Sequence, residues 1–421
     1  ENNIVTIQPD SLRILHNPLT GWVLYASMGV DAADFWAQYD HMYIPELGHN
    51  VSVTDYAHTL YIRASWTDFN PQEDVYGWKI DSNLRAYIEG AYQRNMRLAF
   101  RVVVDSRDKR TEFTPQFVKD AGAKGFMNKG KWSPYSDDPV FQKYYTKFVK
   151  ALAKDFNDPS KVEFIDGFGL GKWGEYHTMI YSTGDDTPKK AVFDWVTDIY
   201  SQAFDKVPVV INYHRWIGAG KDWVDDEHFA ADSEEMLEGA IKKGYSLRHD
   251  AFGMTTYYGS WERRFAKKYR NICPIIMEGG WIVKSHSYWQ DPRGYRKDSH
   301  EDVRRGEFDD SKEAHVNMMD FRFGDTESWF KDAFDLVRRF LREGGYRLYP
   351  SEISLPLEVS KKTTPTIKHC WNNLGWGYCP TNIPQWNQKY KVAFALLDSE
   401  TNEARYTFVD TDTDLSKWIK G

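Results

Sequence analysis

Between residues 20 and 343 the sequence alternates eight times between a short apolar run and a segment whose apolar residues recur at helical spacing. Runs that are apolar throughout are typical of parallel strands covered on both faces. Eight such units predict a (β/α)8 TIM barrel with inserted loops. An open doubly wound sheet is the alternative, but no G-x-G-x-x-G stretch opens a helix. The predicted strands are Trp22–Ala26, His58–Trp66, Met96–Val104, Val162–Leu170, Pro208–Tyr213, Ser246–Met254, Ile272–Met277 and Met319–Phe323.

The pattern changes after Gly344 and Gly345. Five β-type runs follow, separated by Pro, Asn, Gly and Asp, and no helical period interrupts them. This spacing predicts a small antiparallel β-sandwich that packs on the barrel. We therefore expect two domains, a barrel over residues 1–344 and a β domain over residues 345–421.

Composition excludes several classes of function. The formal net charge of −7 argues against nucleic acid as a main partner, and no run of about 18 apolar residues predicts a membrane span. The three cysteines have neither zinc-site nor C-x-x-C spacing, and we expect no cofactor or metal. Aromatic residues make up 16% of the chain, which is typical either of a large aromatic core or of a cleft that stacks on sugar rings. Their frequent position at predicted strand ends favours the cleft.

The fourth predicted strand runs into an unusual glycine-rich stretch. Four glycines between residues 167 and 174 break its end and lead to Trp173, Glu175 and His177. Glycine weakens a strand, so its repeated use indicates close approach of another backbone or of a ligand. A carboxylic acid exposed at this point, beside an indole ring, suits a catalytic acid. A structural ion pair of Glu175 is the alternative interpretation.

In a TIM barrel the active site lies at the carboxyl ends of the strands, and polar residues at these ends are therefore candidates. Glu278 stands out because it ends the most apolar predicted strand and precedes Gly-Gly-Trp. Asp105 and Asp250 could serve in place of either Glu. We expect His214 and His249 to bind substrate or to pack, since no carboxylate stands at metal-ligand spacing from them. The predicted substrate-binding residues are Arg63, Trp66, Arg101, Asp105, Lys172, Trp173, His177, Tyr213, His214, Arg215, His249, Asp250, Tyr257, Trp281 and Arg322.

Strands 4 and 7 of a barrel face each other across its mouth, so Glu175 and Glu278 are predicted to form a pair across an aromatic cleft. Two such carboxyl groups are what glycoside hydrolysis requires. Trp66, Trp173 and Trp281 are candidate sugar platforms, with ordinary core packing as the alternative.

This arrangement resembles clan A of the glycoside hydrolases. The segment Leu60–Trp78 is similar to a stretch after strand 2 in the family 42 β-galactosidases, and Asn17–Trp22 and Gly171–His177 resemble a poorly characterised bacterial group with a C-terminal β domain. The resemblance implies a secreted, periplasmic or cell-surface retaining β-glycosidase, with Glu175 as acid/base and Glu278 as nucleophile. The sequence departs from clan A where Gly174 replaces the Asn that binds the sugar 2-hydroxyl. His177 or Lys172 would have to take over that contact.

Two further expectations concern the substrate. Cations at the predicted strand ends, among them Arg63, Arg215 and Arg322, suit an anionic, sulfated or uronate-bearing oligosaccharide or polysaccharide, with a β-linked galactose-like unit at the cleaved bond. Alternatively these cations pair with Asp68, Asp105, Asp250 and Asp325 and keep the barrel mouth neutral. A non-catalytic carbohydrate-binding barrel and, less favoured, a metal-dependent hydrolase are the competing functions. The sequence does not predict an oligomeric state.

Overall fold

The computed structural model describes residues 1–221, 226–254, 257–280 and 300–420. Eight parallel strands close into a barrel, as predicted. The strands follow one another around the ring in chain order, and the first pairs with the eighth through Val23 and Asp320. They are β1 (Gly21–Ser27), β2 (Ala57–Ser65), β3 (Arg97–Val103), β4 (Val162–Asp166), β5 (Val209–Asn212), β6 (Tyr245–Phe252), β7 (Ile275–Gly279) and β8 (Met318–Asp320).

Helices cover the outside of this ring. Several begin at an aspartate whose side chain accepts backbone N–H groups, and Asp138 does so from Phe141 at 2.9 Å. That helix turns Tyr145, Phe148 and Leu152 towards the strands. The helices are Ala32–Asp40, Trp66–Phe69, Gly77–Ile80, Ser82–Gln93, Gln116–Asp120, Pro139–Phe156, Lys189–Ala203, Glu227–Lys242, Ser260–Tyr269, His300–Glu313, Thr326–Asp332 and Phe334–Glu343.

Two of these helices differ from the sequence prediction. The apolar spacing of the sequence predicts a single amphipathic helix over 327–342, but the chain forms two helices with a break at Ala333, whose φ of −144° is outside the helical region. The sequence also predicts a helix near 310–318, and the observed helix begins and ends earlier, at His300 and Glu313. No helix in the described ranges is long and apolar enough to cross a membrane.

The C-terminal β region is antiparallel, as predicted, but it forms two separate small sheets. Leu348–Pro356 pairs with Lys368–Asn373, and Val392–Leu397 forms a hairpin with Ala404–Asp410. The N-terminal strand Asn2–Thr6, which sequence analysis missed, adds to the edge of the first sheet. Residues on both sides of the predicted boundary at 344 therefore build one sheet. Two hairpins lie in barrel loops, Met42–Ile44 with His49–Val51 and Gly125–Asn128 with Lys131–Pro134.

The segment after the first C-terminal sheet closes the lower end of the barrel, where the strands begin. Trp376 donates its indole N–H to the Val316 carbonyl at 2.7 Å, and the Asn317 amide donates to the Tyr378 carbonyl at 2.9 Å. Ile383 and Trp386 join the apolar residues that fill the lower barrel interior. The C-terminal region is thus continuous with the barrel core.

Candidate active site

A cavity of about 390 Å³ opens at the upper end of the barrel, where the strands end. Both predicted catalytic residues, Glu175 and Glu278, line it, and this size suits a small ligand. The other lining residues are Arg63, Lys109, Trp173, His177, Asn212, His214, Trp216, His249, Asp250, Ala251, Met254, Tyr257 and Arg322.

Glycines position Glu175 through close backbone contacts. Gly169 has a φ of +75°, and a Cβ there would lie 2.2 Å from the Val102 carbonyl oxygen on the neighbouring strand β3. Gly171 has a φ of +76°, and a Cβ would meet the backbone of His177 at 2.7 Å. Close backbone approach, one of the two reasons predicted for these glycines, is therefore what the structure shows. The non-glycine residues Trp173 and Tyr176 also have positive φ, near 60°, which marks the segment as locally strained.

Among the described residues, His177 and Arg101 are the nearest polar partners of the Glu175 carboxyl group. Its Oε2 lies 3.1 Å from His177 Nε2, and its Oε1 lies 3.8 Å from Nη1 of Arg101. Its backbone carbonyl lies 2.7 Å from Nε2 of His214. Because the Trp216 N–H donates to His214 Nδ1 at 3.1 Å, Nε2 carries the hydrogen and donates to Glu175. The side chain is 17% exposed, so it reaches the cavity while its backbone stays fixed.

The Glu278 carboxyl group is buried at the end of β7. Its Oε2 lies 3.4 Å from Nη2 of Arg248. Burial raises the pKa of Glu278 well above its ordinary value, and the negative charges of Asp250 and Asp320 raise it further, whereas Arg248 lowers it. Glu278 therefore holds a proton more readily than an exposed carboxylate.

Asp250 on β6 is the third carboxylate of the site. One carboxylate oxygen each of Glu175, Asp250 and Glu278 lies within 4.8 Å of the other two. Burial alone would raise the pKa of Asp250, but Arg101, Arg248 and a hydrogen bond with Glu278 hold it well below its ordinary value. The environment thus drives the pKa values of Asp250 and Glu278 apart, with the proton on Glu278.

Two buried arginines organise this cluster from below. Arg101 contacts Asp166 through Nε at 2.6 Å and Asp250 through Nη2. Arg248 contacts Asp250 through Nε and Asp320 through Nη2, both at 2.7 Å. Each guanidinium group thus contacts two buried carboxylates and offsets part of their charge.

The structure brings ten of the seventeen predicted site residues to the cavity. Besides the two glutamates they are Arg63, Trp173, His177, His214, His249, Asp250, Tyr257 and Arg322. His249 is buried and its Nδ1 accepts the Ala251 N–H at 2.9 Å, and burial lowers its pKa to about 3. It therefore faces the cavity as a neutral ring. Trp281 lies outside the described residues.

Six predicted residues do not line the cavity, and for the two aromatic ones the reason is burial. Trp66 is 0% exposed and packs under the helix Pro139–Phe156, with its indole N–H on Asn70 at 3.1 Å, so it offers no face to a sugar. Tyr213 is also buried and shares a hydrogen bond of 2.9 Å with Tyr258. The sequence expectation for these two side chains is therefore corrected.

The other four are held by ion pairs. Asp105 is bound by Arg107 at 2.6 Å, away from the cavity. Lys172 pairs with Asp108 at 3.0 Å, and Arg215 pairs with the buried Glu262. Arg101 lies beneath the carboxylates, as described above, and is 0% exposed. Apart from Arg101, these ion pairs lie outside the cavity, and the acids that pair with Lys172 and Arg215 are not the aspartates that the sequence analysis named.

Sequence analysis missed several residues of the site. Arg248 and Asp320 are inward-facing residues of β6 and β8, and the alternation of Arg248 with Asp250 was a signal that both point into the barrel. Asn212 donates to Asp250 at 2.9 Å from the end of β5. Lys109 lies in a long loop without periodicity, where the sequence carries no signal.

No protein-family model matches the chain, and no curated protein is detectably similar to it. Solved structures with related folds exist. A lactosyl-enzyme intermediate of endo-glycoceramidase II from Rhodococcus sp. is 12% identical, covers 79% of each chain and has a TM-score of 0.43. An endoglucanase from Pseudomonas stutzeri is 10% identical over 77% of this chain and 94% of its own, with a TM-score of 0.44. An exo-β-1,4-mannosidase from Opitutaceae bacterium strain TAV5 is 11% identical over 80% of this chain and 62% of its own, with a TM-score of 0.40. Similarities of this size assign neither a family nor an activity to this chain.

Proposed function

We propose that the protein is a retaining glycoside hydrolase with Glu175 as general acid/base and Glu278 as nucleophile. The observation that carries this proposal is the approach of the two carboxyl groups, whose nearest oxygens lie within 4.8 Å of each other at the upper end of the barrel. Retaining enzymes need a separation of about 5–5.5 Å, whereas inverting enzymes leave room for a water at about 6.5–9.5 Å. Trp173 and Tyr257 on the cavity wall supply flat faces for a sugar.

The reaction then takes two steps. In the first, a Glu278 oxygen bonds to the anomeric carbon as the glycosidic C–O bond breaks, and the Glu175 proton passes to the leaving oxygen. In the second, Glu175 takes a proton from water, whose oxygen bonds to the anomeric carbon and releases Glu278. His177, 3.1 Å from Glu175, is placed to hold the acid/base carboxyl group in position.

The protonation of the buried pair bears on the choice of nucleophile. Glu278 must lose its proton before it can attack, and its raised pKa means that the competent fraction grows as the pH rises. Asp250 is the second candidate nucleophile because its pKa is held low and it lines the same cavity. Trapping with an activated 2-deoxy-2-fluoro glycoside, followed by peptide mapping, separates the two. We expect the label on Glu278, and a label on Asp250 would transfer the role.

Hydrolysis of a panel of chromogenic glycosides, with and without chelator, tests the activity itself. We expect turnover that the chelator leaves unchanged, a loss of about 10³-fold or more in Glu278→Gln, and recovery of Glu175→Ala by azide. Glu163→Gln is the matched control, because Glu163 lies at the lower end of β4, where it pairs with Arg97. Turnover of wild-type size in either active-site variant contradicts the assignment. Binding of sugars without turnover indicates a carbohydrate-binding barrel.

The proposal also includes the sugar at the cleaved bond and the location of the enzyme. We propose a β-linked galactose-like unit at the cleaved bond, in line with the family 42 resemblance of the segment Leu60–Trp78. A secreted, periplasmic or cell-surface location suits a polysaccharide-degrading enzyme. The panel tests the sugar directly, since a preference for glucosides or mannosides over galactosides contradicts it.

A further inference from the structure

The cations at the upper end of the barrel fall into two groups. Arg101, Lys172 and Arg215 each contact a carboxylate within 3.0 Å, and Arg322 lies 3.5 Å from Asp325. A cation that is already paired with a carboxylate attracts an anionic ligand only weakly. Arg63 and Lys109 differ, because neither has a carboxylate within 4.0 Å among the described residues.

Arg63 extends from β2 towards the cavity. Its Nη1 donates to the Tyr25 hydroxyl and its Nη2 to the Trp173 carbonyl, both at 3.0 Å. Both acceptors are neutral oxygens, so they orient the guanidinium group without cancelling its charge. These two bonds use two of the five N–H donors of the group.

Lys109 approaches the same cavity from the loop after β3. Its ammonium group lies 5.2 Å from the centre of the Phe113 ring, and the side chain is half-buried. Burial and the positive charge of Arg63 together lower the pKa of Lys109 to about 8. Two cations that are partly shielded from water and repel each other favour an anion between them.

We propose that Arg63 and Lys109 form a subsite for an oxyanion substituent, a sulfate or a carboxylate, on the sugar chain. The proposal rests on the proposed function for the identity of the sugar, but not for the binding of the anion. Arg63 interacts electrostatically with both Glu175 and Glu278, and Lys109 with Glu175. The substituent therefore lies on a sugar at or next to the cleaved bond.

This proposal reduces the number of cations that are expected to bind an anionic substrate. Five rim cations were predicted to serve it, namely Arg63, Arg101, Lys172, Arg215 and Arg322. Only Arg63 of these lines the cavity without a carboxylate partner in the described ranges, and Lys109 joins it. The guanidinium fork of Arg63 suits two oxygens of one sulfate or carboxylate, and Lys109 adds a point charge.

Calorimetry on the full chain carrying Glu278→Gln measures binding without turnover. The probes are one galacto-oligosaccharide in three matched forms: neutral, sulfated, and with a uronate unit. We expect at least one anionic form to bind about tenfold or more tightly than the neutral form. The anionic form that binds more tightly than the neutral form identifies the oxyanion. Equal affinity for all three forms would overturn the subsite.

Lys109→Met in the same background locates the anion. We expect this variant to lose about tenfold in affinity for the anionic form and to leave the neutral form unchanged. Lys119→Met is the matched control, since Lys119 also lies over an aromatic ring, at 5.7 Å from Trp132, but does not line the cavity. An equal loss for neutral and anionic forms would show that Lys109 only supports the loop.

The two proposals fail in distinguishable ways. Hydrolysis of neutral glycosides without any preference for anionic forms would support the glycosidase proposal and contradict the anion subsite. Binding of the anionic form without hydrolysis of any glycoside would support the subsite and contradict the glycosidase proposal. A second readout is the pH, because affinity for the anion should fall above about pH 8 as Lys109 loses its proton. Its charged neighbours are Arg63, Arg101, Asp108 and Glu175.

Discussion

The lower half of the barrel interior is filled by apolar side chains such as Val23, Phe164 and Ile276. The upper half holds two arginines and four acids with buried side chains, which are Arg101, Arg248, Asp166, Asp250, Glu278 and Asp320. The change occurs within single strands. On β7, Ile276 belongs to the apolar half and Glu278, two residues later, to the charged half. One pleated strand thus contributes to both halves through residues on the same face.

The two halves therefore have different roles. The apolar lower half stabilises the barrel, and the charged upper half positions the carboxyl groups of the site. Apolar packing stabilises the lower half at any pH, and its main sensitivity is to lost volume. The upper half combines buried charges whose desolvation offsets much of their attraction. It adds little net stability, but it fixes carboxyl groups at set distances and sets their pKa values.

The largest effect should follow from Arg101→Met. This change leaves Asp166 and Asp250 buried without one of their two guanidinium partners, and we expect a loss of about 3–5 kcal/mol in the free energy of unfolding. The loss should shrink at low pH, where the stranded carboxylates take up protons. Urea unfolding at pH 5 and pH 8 measures this difference. Phe164→Leu, in the lower half, should destabilise equally at both pH values, and a pH-independent loss in Arg101→Met would contradict the comparison.

A smaller loss, with no effect on chemistry, should follow from Ile383→Ala. Ile383 is 3% exposed and belongs to the C-terminal segment that fills the lower end. Removing its side chain should cost about 2 kcal/mol, near the low end of the range for core isoleucines because the site is at the edge of the core. Thermal unfolding measures the loss, and kcat of the folded fraction should not change. A fall in kcat would show that the two halves are coupled.

Asp250→Asn should shift the pH profile of the reaction. The Asp250 charge raises the pKa of Glu278, so its removal should move the rising limb of kcat/KM to lower pH. Asp105→Asn is the control, since Asp105 pairs with Arg107 outside the cavity. A limb that stays in place, or moves to higher pH, would show that Glu278 is not the group whose ionisation limits the rate.

The smallest effect is expected at the lower end of the barrel, from a buried histidine. His58, near the start of β2, lies against His16 with the two ring centres 3.6 Å apart and the rings tilted by 41°, and burial lowers the pKa of His58 to about 4 from 6.5. A lowered pKa in the folded state stabilises the protein above pH 6.5, and this contribution is lost as the pH falls towards 4. His58→Leu should therefore flatten the acid loss of stability by about 1 kcal/mol, well below the full value of the shift because the ring is partly exposed to water. Glu278, with its raised pKa, acts in the opposite direction, because its contribution is lost as the pH rises. Identical pH–stability curves for His58→Leu and wild type would contradict the assignment.

The barrel itself was predictable because eight apolar runs have few other ways to be buried. All eight predicted strands overlap observed ones, since a strand covered on both faces needs apolar side chains throughout. The strand Asn2–Thr6 escaped prediction because it is short, exposed and lies at a sheet edge, where its pairing with Leu348–Pro356 is decided by distant residues. The sequence did not predict that Trp386 closes the lower end of the barrel, because this contact also depends on residues that are distant in the chain.

The site was predictable only in part. Glycine context and strand-end position pointed to Glu175 and Glu278, and both line the cavity. The same rule selected Trp66, which follows β2 but turns into the core against the helix Pro139–Phe156. Strand-end position does not fix the direction of a side chain. Lys109 could not be found at all, because its place depends on the path of a long loop.

The position of the C-terminal segment has a consequence for synthesis on the ribosome. The barrel strands are complete at Asp320, yet Cys379, Ile383 and Trp386 are needed to fill the lower interior. A nascent chain that has emerged only to residue 344 would present Phe164, Val210 and Ile276 with their neighbours missing. Exposed apolar surface of this kind invites association with other chains or with chaperones. We therefore expect the barrel to acquire its final packing late, after most of the remaining residues have left the exit tunnel.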